Sequence, residues 1–317
     1  MKQAFKAASL QLVHHKKNIQ SYTFGIALIL LMICAAIVLQ DREIILPELA
    51  ALATGCFVYM KPEWTSRPWE LFKLPSITAI IGFGINMTTF SLVVKLILVV
   101  SAMLLVLTWL RNYLAPALAT GLLPVITNAT SPTFLAAIFI LTFLLAWAVA
   151  SFKTKNISTP AQTPQFNLQK GDIAAYLAII IGWMGFCFYT DRMDMAATPP
   201  VLVVAFESIQ KQMYTREVWL KQIFLLTIAA LIGSLTTTYF SNMILGASTS
   251  FLAIYLVLHI SKFKLPPAYA MALLPLILPT QPPLHFTIKV FLMALFILST
   301  IYVLKKYVAN KSEISQG

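Results

Sequence analysis

Charge is scarce in this chain. Only 11% of its 317 residues are charged, against about 25% in ordinary soluble domains, which excludes a water-soluble enzyme of usual composition and excludes intrinsic disorder. Acids are scarcer still: 11 Asp and Glu stand against 23 Lys and Arg, for a net charge of +12. Cysteine is limited to Cys34, Cys56 and Cys187. All three lie in apolar runs without metal-ligand spacing, so neither a disulfide scaffold nor a metal site is encoded. Catalytic and nucleotide motifs are absent as well. There is no G-x-x-x-x-G-K-[ST], H-E-x-x-H or G-x-S-x-G and no paired intramembrane aspartates. The sequence therefore predicts no enzyme, no catalytic residue, no cofactor and no ATP-driven motor within the chain itself.

What is abundant is apolar sequence. Hydrophobic residues make up 59% of the chain, and a transmembrane helix needs roughly 20 of them in a row, within about 17–25. Runs at 21–39, 74–90, 91–110, 133–151, 173–189, 222–240, 244–260 and 287–304 satisfy that. Shorter runs lie between them at 44–60, 114–127, 197–210 and 265–279. The expected fold class is all-α: a polytopic helical membrane protein with about 12 transmembrane segments (10–12), the short ones tilted or broken. The longest polar stretch, 152–172, is too short for a folded extramembrane domain.

The basic residues sort by side. If all twelve runs cross and the N-terminus is cytoplasmic, the inside segments are 1–20, 61–73, 111–113, 152–172, 211–221, 261–264 and 305–317. These hold 19 of the 23 Lys and Arg, as the positive-inside rule requires. Arg42 and Arg192 fall outside, and Lys95 and Lys289 fall near outer span ends, where they can snorkel. The net charge thus reports topology and not nucleic acid. The expected location is the cytoplasmic membrane, multi-pass, with both termini cytoplasmic. A five-plus-five arrangement with one re-entrant run per half stays open. The basic N-terminal stretch around His14-His15 can form an interfacial helix with Phe5, Leu12 and Val13 on its apolar side.

The chain also repeats itself. Residues 114–132 (LAPALATGLLPVITNATSP) match 265–283 (LPPAYAMALLPLILPTQPP) at nine of 19 positions without a gap. Pro116, Pro124 and Pro132 fall in register with Pro267, Pro275 and Pro283, an offset of 151 residues. Asp41-Arg42 echoes Asp191-Arg192, Trp69 echoes Trp219, and Ile81-Gly82 echoes Ile232-Gly233. The expected organisation is a basic segment 1–20, a membrane repeat 21–151, a polar linker 152–172, a second membrane repeat 173–304 and a tail 305–317. An even number of spans per half makes the repeats parallel.

The segment Leu265-Pro266-Pro267-Ala268, followed by Ala270 and Ala272-Leu273-Leu274, resembles the signature of the HPP family of small integral membrane proteins, named for a His-Pro-Pro motif. The resemblance covers most of 173–304, with 21–151 as a more diverged copy. It implies a helical membrane domain and, from some plant relatives, nitrite transport. The motif's His is Leu265 here and its Gly is Tyr269, so the motif's imidazole is absent. A second, weaker resemblance, to fusaric-acid and aromatic-acid exporters, rests on a Trp-then-Gly-rich span pattern.

Short proline-broken runs at matching positions of two halves point to a transporter's midplane site. They place Pro116, Ala117, Thr120 and Gly121 with Pro267, Tyr269 and Met271 along a cavity; the plain alternative is kinking for packing. Arg111 and Lys262 precede these segments one repeat apart. They suit an anion beside a helix N-terminus or serve simply as positive-inside anchors. Glu207 and Glu48 are the acids nearest span interiors, where carboxylates often mark ion pathways, and Glu207 can pair with Lys211 four residues on. His259 and His285 are isolated and read as interfacial. The expected activity is transport of a small solute, an anion such as nitrite being favoured. The rivals are a membrane partner or scaffold protein without flux and an aromatic-acid permease. The expected partners are the lipid bilayer and an unidentified small molecule or ion; no nucleic acid is expected, and a homo-oligomer is compatible with the sequence.

Overall fold

A computed structural model describes residues 23–112, 114–154, 170–211, 213–279 and 281–314. The basic N-terminal stretch with its two histidines, and Pro160 and Pro164 of the linker, lie outside the described residues. The described chain is all helix and turn, with no strand. In order, the helices are α1 (Thr23–Val38), α2 (Pro47–Ala53), α3 (Pro62–Thr65), α4 (Glu70–Asn86), α5 (Leu92–Trp109), α6 (Pro116–Thr127), α7 (Pro132–Thr154), α8 (Lys170–Tyr189), α9 (Pro199–Ile209), α10 (Arg216–Tyr239), α11 (Met243–Ile260), α12 (Pro267–Leu273) and α13 (Pro283–Ile314). Every one of the twelve apolar runs holds a helix, but several bounds move. The run 44–60 is not a single helix: a 3-10 turn at Arg42–Ile44 precedes α2, which passes into a π-helical turn at Thr54–Val58. The run 74–90 becomes a helix starting at Glu70 and ending at Asn86. Helices α10 and α13 overrun their apolar stretches because a helix continues into polar surroundings where hydropathy no longer marks it.

Among the described residues six helices are long and apolar enough to cross a membrane: α5, α7, α8, α10, α11 and α13. No more than half of each apolar window is buried by protein, and Leu105, Phe224, Leu252 and Ile260 lie on the surface. Such a belt would aggregate in water and fits a lipid-facing wall. Exposed Trp109, Tyr189 and Tyr239 sit at helix ends, where amphipathic rings suit a membrane interface. The short helices are inverted. All residues of α2 and α12 are buried, as are ten of the 12 in α6 and ten of the 11 in α9. At about 1.5 Å per residue α6 is about 18 Å long, short of a hydrocarbon core of about 30 Å. Its unpaired end groups are tolerated only inside protein, and that is where it lies. Each of these short helices starts at a proline, whose missing N–H costs nothing at the first helical position.

Apolar burial gives little drive between helices already in lipid, so close approach of small residues does the packing. A Cβ on Gly82 of α4 would lie 1.9 Å from the Gly121 carbonyl oxygen of α6. A Cβ on Gly233 of α10 would lie 2.2 Å from the Ala272 carbonyl oxygen of α12. The second pair is the first displaced by 151 residues. Thr78 and Thr120 hydroxyls, 3.2 Å apart, tie α4 to α6 beside the first contact.

Helix ends recur at the same interval. Arg111 and Lys262 adopt left-handed backbone (φ 48° and 51°). Beyond them Asn112 N–H reaches the Leu107 carbonyl at 3.0 Å and Phe263 N–H the Leu258 carbonyl at 3.2 Å, the hydrogen-bond pattern that ends a helix with a left-handed residue. Gln40 and Asp191 do the same after α1 and α8. The structural partner of Asp191 is thus Gln40, one residue out of register with the Asp-Arg echo read from sequence.

Candidate functional site

Four short helices, α2, α6, α9 and α12, converge at the centre of the molecule. They enclose a void of about 10 Å³ lined by Pro47, Glu48 and Ala51, by Pro116, Ala119 and Leu123, by Pro199, Pro200 and Val203, and by Pro267, Ala270 and Leu274. The α6 and α12 sets differ by 151 residues and the α2 and α9 sets by 152. Helix α6 packs on α9, and α12 on α2, so each short pair bridges the two halves of the chain.

One end of this axis opens into a cleft of about 580 Å³. Its polar lining comprises Asn86, Lys95, Asn128, Asp194, Thr198, Gln281 and Lys289, and Leu274 belongs to both cleft and central void. Lys95 Nζ donates to the Asn86 carbonyl at 2.6 Å, and Asn86 Nδ2 donates to the Ala129 carbonyl at 2.9 Å. Lys289 is 7% exposed; it donates to Gln281 Oε1 at 2.7 Å and pairs with Asp194. Its ammonium reaches a carboxylate on the turn before α9. Burial works against an ionised Asp194, but the Lys289 hydrogen bond and charge outweigh it and hold the carboxyl below its ordinary range. A second hollow of about 190 Å³, lined by Arg42, Ser234, Thr237 and Thr238, shares Gln281 and Phe286 with the first.

The opposite end is closed by contacts across the halves. Lys61 Nζ meets Glu207 Oε1 at 2.9 Å, with both side chains about one-fifth exposed. The predicted Glu207–Lys211 pair is replaced by this one, because the turn after α2 brings Lys61 to the end of α9, and Lys61 also lies 4.3 Å over the Trp64 ring. Lys211 remains close: burial lowers its affinity for a proton, Glu207 opposes that and Lys61 adds to it. Tyr59 and Tyr269 hydroxyls approach to 3.4 Å, and the Tyr269 ring packs on Phe251 with centroids 4.7 Å apart.

The structure gathers some of the residues singled out by sequence and disperses others. Pro116 and Pro267 line the central void. Thr120 is buried one face away, its hydroxyl donating to the Ala117 carbonyl at 3.0 Å. Tyr269 and Glu207 sit at the closed end. Arg111 and Lys262 are exposed helix-ending residues, away from the cleft lining. Leu265, where the HPP motif carries His, is buried before α12. Sequence reading did not assign Lys95, Lys289, Asn86, Asp194 or Gln281 to a site. The available signal was a lysine more than one residue inside an apolar helix, at the fourth position of α5 and the seventh of α13, where an intramembrane charge implies a cavity or a partner. Among the described residues no three His, Cys, Asp or Glu side chains gather as a metal ion requires.

Comparison with known proteins gives no family: no family model matches the chain, and no curated protein or solved structure is similar to it.

Proposed function

We propose that the chain is a membrane carrier for a small solute, built from two tandem parallel repeats of six segments, with both termini cytoplasmic. The paired contacts at Gly82 and Gly233, the left-handed helix ends and the matched lining of the central void support the repeat. The observation that carries transport is the one-ended cleft. Polar groups line an opening that stops at the short helices, while ion-pair and tyrosine contacts between the halves close the other end. Rocking of the halves about the short helices would exchange which end is open. An anion is favoured, because Lys95 and Lys289 outnumber Asp194 in the cleft and Asn86, Asn128, Thr198 and Gln281 add hydrogen-bond capacity. Nitrite, the solute implied by the HPP resemblance, belongs on the list of anions to test.

A ligand that binds the folded state raises its stability by about 2.7 kcal/mol at a hundredfold excess over Kd. Thermal unfolding of the purified protein in detergent, with nitrite, nitrate, acetate, aromatic acids and simple cations, reads binding without assuming flux. The expected result is stabilisation by one class of anion, lost in the double variant Lys95→Met, Lys289→Met. Stabilisation by cations alone would refute the anion assignment.

A second reading, a membrane partner protein without flux, is favoured by the closed, apolar character of the central void. It predicts no stabilisation by any solute, and a co-purifying protein whose removal lowers the unfolding temperature.

A further inference from the structure

The central void holds one group that packing does not explain. Glu48 is 3% exposed, and its Oε1 has no hydrogen-bond partner. The eleven other residues lining the void are Pro, Ala, Leu and Val. At the corresponding place on α9 stands Pro200, so the lining of the void carries one carboxyl and no second.

Among the described residues no neighbouring charge neutralises it. On α6 nothing titrates; on α9 Glu207 is paired with Lys61; on α12 Tyr269 meets Tyr59. On α7 the titratable residue is Lys153, at the far end of that helix from Pro132. On α2 and its π turn it is Cys56, and on α1 it is Cys34. In the preceding turn Asp41 accepts from Glu43 N–H, Glu43 accepts from the Thr130 and Ser131 N–H groups, and Arg42 lines the smaller hollow. An ionised carboxylate with one oxygen unpartnered and no counter-charge is disfavoured in such surroundings. A bound metal ion would need several oxygens, and the walls supply one carboxyl. A void of about 10 Å³ is at the lower limit for one water, which would itself need two or more polar partners. The neutral acid requires none of these.

We propose that Glu48 is a proton-binding site: the carboxyl carries a proton while the axis is closed and gives it to water when the halves part. The step breaks one O–H bond, leaves a carboxylate and forms hydronium. Leu274, shared by void and cleft, separates the carboxyl from the cleft's solvent. Use of this proton to drive solute movement rests on the transport reading above, and makes the proton the coupling ion.

The test separates the two claims. Infrared spectra of the full-length protein in detergent, from about pH 6 to about pH 9, are expected to show a protonated-carboxyl C=O band that Glu48→Gln removes. If that variant does not accumulate, ¹³C-glutamate labelling shifts the same band in the wild type. In the same range the wild-type folded-to-unfolded ratio should fall by up to about tenfold per pH unit, for one proton held only in the folded state. Glu48→Gln should lack that slope. Absence of a Glu band, or equal slopes in both proteins, overturns the proton site and leaves the transport reading intact. In vesicles of the purified protein with a trapped pH dye, solute uptake without proton movement overturns the coupling. An intact Glu48 band with no uptake of any solute in the panel supports the site and refutes transport.

Discussion

Gly82→Ala is the sharpest test of how α4 and α6 pack within the first half. The added Cβ would lie 1.9 Å from the Gly121 carbonyl oxygen, 2.7 Å from its carbonyl carbon and 2.9 Å from its Cα. All three are backbone atoms, so no side chain can swing away. Ordinary contact begins near 3.4 Å, so α4 and α6 must part by about 1.5 Å, the difference from 1.9 Å. That stretches the Thr78–Thr120 contact from 3.2 Å beyond hydrogen-bond range, at a cost of about 1 kcal/mol. Overpacking adds about 1–3 kcal/mol, and the better helix propensity of Ala returns about 1 kcal/mol. The net destabilisation is about 2 kcal/mol, read as the change in unfolding free energy in detergent. Gly233→Ala should behave alike, since its Cβ meets Ala272 backbone at 2.2 Å. Gly84→Ala, on the same helix with open space around it, is the control and should be neutral or slightly stabilising. If Gly82→Ala is no worse than Gly84→Ala, the backbone contact does not hold the two helices together and the packing argument fails.

Four further outcomes are expected. Pro116→Ala and Pro267→Ala should impair solute flux in vesicles more than Pro160→Ala in the linker, and equal effects would argue against the short helices as the moving centre. A double-mutant cycle of Lys61→Met with Glu207→Gln should give a coupling of about 1 kcal/mol or less for this partly exposed pair, whereas joining Lys61→Cys to Glu207→Cys with a thiol cross-linker should stop flux; unchanged flux in the cross-linked protein would refute closure at that end. Because Asp194 is held below its ordinary range, its contribution is present above about pH 4 and is lost as pH falls through the lowered value; Asp194→Asn should remove that acid-side loss from the stability profile. A cysteine placed at Asn128 should label from outside, and labelling from the cytoplasmic side alone would overturn the assigned orientation.

Hydropathy placed a helix in each of the twelve apolar runs, though not the short α3 between two of them, because apolar runs leave a signal that needs no tertiary information. It misplaced their ends, since helix α4 begins among Glu70 and Lys73 and helix α13 runs on through Lys305, where polar residues continue the backbone pattern. Proline register found the two central helices α6 and α12 but passed over the role of Pro47 and Pro199, which start α2 and α9 in the same cluster. Their runs differ in sequence by more than their positions differ in space. Lys61 was equally hidden: its partner Glu207 lies 146 residues away, while the nearer Lys211 satisfied a local rule. Long-range pairings of this kind follow from how the halves are docked, and no local spacing encodes them.

The burial of the short helices bears on how the chain enters a bilayer. A 12-residue helix cannot hold itself across a membrane, so α6 depends on α4 and α5, made just before it, for a place to rest. Helices α2 and α6 reach their full set of neighbours only when α9 and α12 arrive, which is after the linker and most of the second half have been synthesised. Until then one carboxyl and several proline-capped helix ends have lipid where protein should be. The first half alone is therefore an intermediate and not a module. Residues 1–151 expressed by themselves should be cleared by membrane proteases, and co-expression with 152–317 should rescue both, whereas a stable, separately purified first half would show that the two copies mature independently.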